Sequence, residues 1–229
     1  MTIQMHDLAG RDPALRFSPF CWRTKLALAH KGLAVETIPW RFREKENLSF
    51  SGQGRVPVIR DGDRVVFDSW SIAEYLEENY PDRPSLFNGA GSRAHARFLN
   101  AWADSALNGG IFPLVVADLF QAVDPADQPY FRTSREARLK TTLEATQEGR
   151  EGRLAAFCAS LGPLRMVLAA QPWLGGAAPS YADHIVAGSL MWPRCASRFE
   201  LLADDDAVSA WLGRMLLQYG GMLGAAVRV

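Results

Sequence analysis

The spacing of apolar residues changes once along this chain, near residue 87, and that change limits the fold more than any single motif. Upstream, short β-type runs alternate with helix-like runs; downstream the periodicity is almost wholly helical. A mixed α/β unit followed by an all-helical unit is the expected architecture. The 229 residues leave room for one or two domains. With 48% hydrophobic and 22% charged residues, the composition is that of a chain able to bury a core.

The first unit can be read element by element. Residues 2–8 suit a short strand. Pro19 to Lys31 read as a helix, with Ser18 as N-cap, Pro19 at the first helical position and Gly32 ending it. Val35–Trp40 suits a second strand. Val56–Arg60 and Arg64–Phe67 flank Asp61-Gly62, which predicts a hairpin. Asp68-Ser69 then caps a helix carrying Ile72, Leu76 and Tyr80, stopped by Pro81. The resulting order, β-α-β, a loop, then β-β-α, is that of a thioredoxin-like fold. This places the first domain at 1–86 and a linker at 87–92.

The second domain, 93–229, is expected to be all helix. A long run from about 93 to 122 should bend at Gly109-Gly110 and Pro113. Residues 124–130 read as a polar loop and 133–152 as a polar helix. Leu154, Phe157, Leu161, Leu164 and Leu168 follow at helical spacing, broken by Gly162-Pro163. Ser180 to Asp183 is a capping box. A last helix shows Val208, Trp211, Leu212, Met215, Leu216 and Tyr219 as one apolar stripe.

Charge and composition exclude several classes. The 25 basic and 25 acidic residues balance, which argues against a phosphate-tracking nucleic-acid binder. No uninterrupted apolar run reaches the roughly 18–20 residues of a bilayer span. The opening residues lack a basic flank and an apolar stretch, so a soluble, cytoplasmic protein is expected. Cys21, Cys158 and Cys195 are too sparse for a disulfide framework. His6, His30, His95 and His184 form no ligand-spaced pair, so no metal site is expected.

A thioredoxin-like module concentrates its chemistry where the first helix starts beside an X-Pro bond. Ser18-Pro19-Phe20-Cys21 and Val56-Pro57 are the matching elements. Unpaired N–H groups and a partial positive charge at the helix start favour a bound thiolate, and a capping hydroxyl can donate to it. Serine is a weak nucleophile, so the reactive sulfur must come from a ligand. Val56, before a cis-Pro57, can offer its backbone to an extended peptide. Asp68 suits an amino group, and Ser69 with the helix N–H groups suits a carboxylate. The set describes a receptor for a small zwitterionic thiol peptide.

These residues carry a resemblance. Ser18-Pro-Phe-Cys-Trp-Arg-Thr-Lys, Arg55-Val-Pro-Val-Ile, Asp68-Ser-Trp-Ser-Ile-Ala-Glu-Tyr-Leu and Tyr80-Pro-Asp-Arg-Pro-Ser-Leu-Phe resemble the glutathione S-transferases. Gly149-Arg-Glu-Gly-Arg-Leu, Trp173-Leu-Gly-Gly and Ser180-Tyr-Ala-Asp extend the resemblance into the helical domain. Within that superfamily the chain looks most like the bacterial lignin β-etherases and the related fungal FuA class. Those β-etherases carry a long C-terminal extension beyond the point where this chain stops, so a fairly open pocket is expected.

The resemblance implies a cytoplasmic homodimer that binds glutathione and a small aromatic electrophile, with no metal. Ser18 would stabilise the glutathione thiolate, which attacks an electrophilic carbon and, in a β-etherase, releases a phenolate. Lys45, Arg55, Val56, Pro57, Asp68 and Ser69 would hold glutathione. Phe20, Trp102, Ser105, Asn108 and Phe112 would line the electrophile pocket. Three other readings stand beside it: a zeta-like glutathione-dependent isomerase, a thiol–disulfide oxidoreductase using Cys21, and a non-catalytic binder of aromatic ligands.

Overall fold

A four-stranded mixed sheet carries the first unit. In this computed structural model, which describes residues 2–229, β1 (Ile3–Leu8) pairs in parallel with β2 (Val35–Trp40). A parallel pair needs a crossover, and α1 (Pro19–His30) supplies it. β3 (Val58–Asp61) runs antiparallel to β1 and to β4 (Arg64–Phe67), and α2 (Ser69–Asn79) follows. A 3-10 helix over Lys45–Ser51 joins β2 to β3. The thioredoxin-like order is therefore present. The hairpin starts later than expected, because Pro57 has no N–H for the ladder; the Val56–Pro57 bond is cis.

The helical unit departs from the expected pattern in informative places. α3 (Ala90–Trp102) passes through one π turn, Ala103–Leu107, into α4 (Asn108–Ala122). The expected break at Gly109-Gly110 and Pro113 is not there: all three lie inside α4, and the irregularity sits upstream. One extra residue in a turn rotates everything beyond it by about 100° relative to a continuous α-helix. Taken as one piece, Ala90–Ala122 is long and on average apolar enough to cross a membrane, although polar residues interrupt it. Here it is a core helix, with Leu99, Leu107, Ile111, Leu114 and Leu119 buried in protein.

The expected loop at 124–130 is present over 124–127, and its last three residues already belong to α5 (Gln128–Leu139). The expected helix at 133–152 is divided into the end of α5, α6 (Leu143–Gln147) and the start of α7 (Arg150–Ser160). Lys140 at φ 61° and Gly149 at φ 67° mark the breaks, since a left-handed residue ends a helix. α7 and α8 (Gly162–Ala170) meet at 43°, at the Gly162-Pro163 break. α9 (Tyr181–Ala196) opens with the capping box. Asp183 goes further, accepting Leu174 and Gly175 N–H and the Trp211 indole at 2.8–2.9 Å. In α10 (Ala207–Gly221) helical geometry fails at Gln218, Tyr219 and Gly220, which takes Tyr219 off the expected stripe.

The two units lock through α1 against α9. At Gly188 a β-carbon would stand 2.6 Å from the Pro19 carbonyl and 2.8 Å from Arg23 Cγ, so only glycine permits this approach. The Tyr181 hydroxyl donates to the Ser69 carbonyl at 2.7 Å, fixing the start of α2 against the same helix. Both helix starts that bear the expected ligand groups are thus held by α9.

Candidate active site

A cleft of about 1030 Å³ opens between the two units at the start of α1. Ser18, Pro19 and Phe20 form its floor, with Val56, Arg55, Gly54 and Lys45 along one side. Ser18 caps α1: its Oγ accepts the Cys21 N–H at 3.3 Å, which leaves its own O–H to donate. Its side chain is nearly buried yet lines the cleft. This is the geometry a thiolate requires, with a helix N-terminus and a hydroxyl donor at one point.

Cys21 sits one turn further on and is fully buried. Burial, with the Asp7 carboxylate nearby, pushes its thiol far above the ordinary range. It is an apolar core residue, not an accessible thiol.

Asp68 is the N-cap of α2, and its Oδ1 accepts both Trp70 and Ser71 N–H at 3.0 Å. Its backbone is held at φ 70°, a conformation that costs a non-glycine residue about 1–3 kcal/mol. Strain of that size persists where surrounding structure imposes it, and Asp68 carries a carboxylate oxygen still free to accept. Asp68, Ser69 and Pro57 are not on the cleft lining, whereas Ser18, Phe20, Lys45, Arg55, Val56, Asn108 and Phe112 line it.

Trp102 and Ser105 are not brought into the cleft. Trp102 packs against the core, and the exposed Ser105 donates to the Ala101 carbonyl at 2.7 Å. The π turn explains both: its wider spacing lines up Asp104, Asn108 and Phe112, four residues apart, in place of a face through Trp102 and Ser105. Asn108 is almost fully buried, and its Oδ1 has no partner among the described residues.

The far wall was not anticipated. Trp192 of α9 stacks on Phe112 with ring centroids 5.8 Å apart and planes 22° apart. Phe131, Ser134, Arg135, Arg138 and Leu139 of α5 complete it, with Tyr130 and Phe42 alongside. Their three- and four-residue spacing was visible in a stretch read as a polar loop followed by a polar helix.

Family models agree with this architecture. The glutathione S-transferase N-terminal domain matches residues 13–84 and the C-terminal domain matches 94–215. The chain belongs to the glutathione S-transferase family. Among curated relatives, a zeta-class glutathione S-transferase of Euphorbia esula is 29% identical over 143 residues. That match covers 58% of this chain and 62% of the relative. Among solved structures, glutathione transferase GSTFuA3 of Phanerochaete chrysosporium superposes with a TM-score of 0.77 at 27% identity, covering 98% of this chain and 94% of that one. A glutathione S-transferase of Ceriporiopsis subvermispora, crystallised with glutathione, gives 0.79 at 23% identity, covering 96% of each chain, and shares the fold.

Proposed function

We propose that this transferase binds glutathione at the Ser18 end of the cleft and delivers its thiolate to an aromatic electrophile held against α4, α5 and α9. The observation that carries the reading is the Ser18 side chain, which caps the start of α1 and lines the cleft between the two units. The residues present fit the tripeptide. Lys45 and Arg55 make no ion pair among the described residues and can meet a carboxylate. The unused oxygen of Asp68 can accept from an ammonium, and the Val56 backbone can pair with an extended chain.

In the reaction the thiol loses its proton to solvent on binding, and Ser18 and the helix start favour the anion. The sulfur then forms a C–S bond as the leaving group departs with its electron pair. Holding both reactants in one cleft supplies much of the acceleration. The Phe112–Trp192 pair suits a planar ring, and the unpartnered Asn108 Oδ1 suits a donor on it. β-Aryl ethers of aromatic ketones, with a phenolate leaving, are the electrophile class that the β-etherase resemblance supports. We place the activity in the cytoplasm and in a homodimer, for which Phe67 on β4 and Phe98 on α3 provide exposed apolar surface.

A zeta-like isomerase is the second reading, favoured by the zeta-class relative. An oxidoreductase that uses Cys21 is disfavoured by the burial of that thiol.

Calorimetric titration with glutathione tests the first step: saturable binding is expected, weakened in Asp68→Ala by about 1.5–3 kcal/mol, the range for bonds to charged groups. Absence of binding at millimolar glutathione contradicts the reading. Assay of a β-aryl ether ketone beside a halonitrobenzene separates the finer claims. Ether cleavage that falls in Asn108→Ala supports β-etherase chemistry; halonitrobenzene turnover alone removes it and keeps the transferase.

A further inference from the structure

Resting on the reading of this cleft as the electrophile site, we propose that the second substrate is an aromatic carboxylate whose anionic group is held by Arg135 and Arg138 of α5. Charge in the cleft is one-sided. Lys45, Arg55, Arg135 and Arg138 line it, and none is in an ion pair among the described residues. The one acid on the lining, Asp104, is already engaged by Arg23 at 2.7 Å.

The four cations come from both units of the chain, and Arg55 reaches near enough to Arg135 to repel it. Lys45 and Arg55 stand on the thioredoxin-like side, next to Val56, where a bound tripeptide presents its own carboxylates. Arg135 and Arg138 stand on the helical side, among the aromatic residues. The Arg135 guanidinium lies 5.0 Å from the Phe42 ring centroid and 4.5 Å from that of Phe131, beside Tyr130, and it donates to Ser134 Oγ at 2.7 Å. Arg138 lies 5.2 Å from the centroid of Phe112, the ring that stacks on Trp192.

Cations gathered without a counter-charge are unfavourable. Burial, together with the neighbouring Arg138 and Arg55, pushes the Arg135 guanidinium below its ordinary range. An incoming carboxylate relieves that repulsion and meets the two-pronged geometry of a guanidinium. A planar ring seated by Phe112 and Trp192 would project such a group toward α5. A neutral hydrocarbon would leave the more buried Arg135 uncompensated.

The reaction that reads this out is aromatic substitution. Glutathione sulfur bonds to C4 of 4-chloro-3,5-dinitrobenzoate, the C–Cl bond breaks, and chloride leaves with the electron pair. The matched neutral substrate is 4-chloro-3,5-dinitrobenzamide. With each rate divided by its uncatalysed rate, the wild-type kcat/KM is expected to favour the carboxylate by about tenfold or more. That preference should collapse toward one in Arg135→Gln and Arg138→Gln, chiefly through KM, and return in part in Arg135→Lys. Equal use of both substrates by the wild type, or a preference that survives both substitutions, overturns the proposal. So does a loss of glutathione affinity in the two variants equal to the loss for the carboxylate, which would assign the arginines to the tripeptide.

A second measurement needs no turnover. Non-reactive 3,5-dinitrobenzoate should quench the tryptophan fluorescence of the wild type, through Trp192 and Trp40 in the cleft, and do so more weakly in Arg135→Gln. If the protein neither binds glutathione nor turns over either electrophile, the transferase reading fails, and this titration still decides whether α5 holds an aromatic anion.

Discussion

Arg23 and Asp104 meet across the boundary of the two units, Nη1 to Oδ1 at 2.7 Å, with the guanidinium fully buried and the carboxylate 38% exposed. Asn100 Oδ1 and Ser189 Oγ accept from the same guanidinium at 3.2 Å each. A cation on α1 is thereby tied to α3, the π turn and α9 at once. The residue that projects from the irregular turn into the cleft is also the one that neutralises the interface.

Asp104→Ala should therefore loosen the domain boundary as well as the cleft. Removing one partner of a buried pair costs about 3–5 kcal/mol, and an exposed pair is worth about 0–1 kcal/mol. Asp104 lies between these limits, so a loss of about 2 kcal/mol is expected in urea unfolding. Asp104→Asn, which keeps a hydrogen-bond acceptor, should lose less. Equal stability of wild type and Asp104→Ala would mean that Asn100 and Ser189 suffice for Arg23.

Gly188→Val tests the α1–α9 contact. Its branched side chain begins with a β-carbon 2.6 Å from the Pro19 carbonyl, so α1 must shift or the helices separate. Overpacking of this kind costs about 1–3 kcal/mol. Because Pro19 adjoins Ser18, the variant should also lose activity beyond its loss of stability, measured well below the melting temperature. A destabilised variant with full activity would uncouple the helix contact from the site.

Histidines 30 and 184 predict how stability varies with pH. His30 Nε2 faces the Ser85 carbonyl at 3.0 Å and so carries the proton. Its Nδ1 then accepts from the Tyr219 hydroxyl at 2.9 Å, and His184 Nε2 donates to that oxygen at 2.7 Å. His184 Nδ1 is buried with no partner among the described residues. Burial holds both rings below the ordinary histidine range, His184 the more strongly, with His30 adding to its shift.

Below about pH 6.5 the unfolded chain takes up protons that the folded one refuses. Stability should be level above that pH and fall below it, by up to ~1.4 kcal/mol per pH unit for each ring. Unfolding titrations between pH 7.5 and 5 measure the slope. Tyr219→Phe should cost about 1–3 kcal/mol at neutral pH by orphaning the His184 donor. A flat profile would contradict the burial of neutral imidazoles.

Local signals made the first unit readable: the Ser18 and Asp68 caps, the Asp61-Gly62 turn and the Val56-Pro57 pair each act within a few residues of their own position. The capping box at Ser180 was readable for the same reason. Other features depend on partners distant in sequence. Nothing in the run through Trp102 announces a π turn, so the face bearing Asp104 was misphased by one residue. Tyr219 fits an apolar helical stripe until its left-handed backbone sends the hydroxyl to two histidines. Arg135 looks like a solvated charge until the fold sets α5 across the cleft from the start of α1.

The most direct test of the account is the ionisation of glutathione in the cleft, followed by the ultraviolet absorbance of the thiolate as pH is raised. Bound to the wild type, the thiol should titrate below its free value of about 8.5. In Ser18→Ala the titration should move back toward that value while glutathione still binds. A bound thiol that titrates at the free value in the wild type would contradict the placement of the reacting sulfur at Ser18.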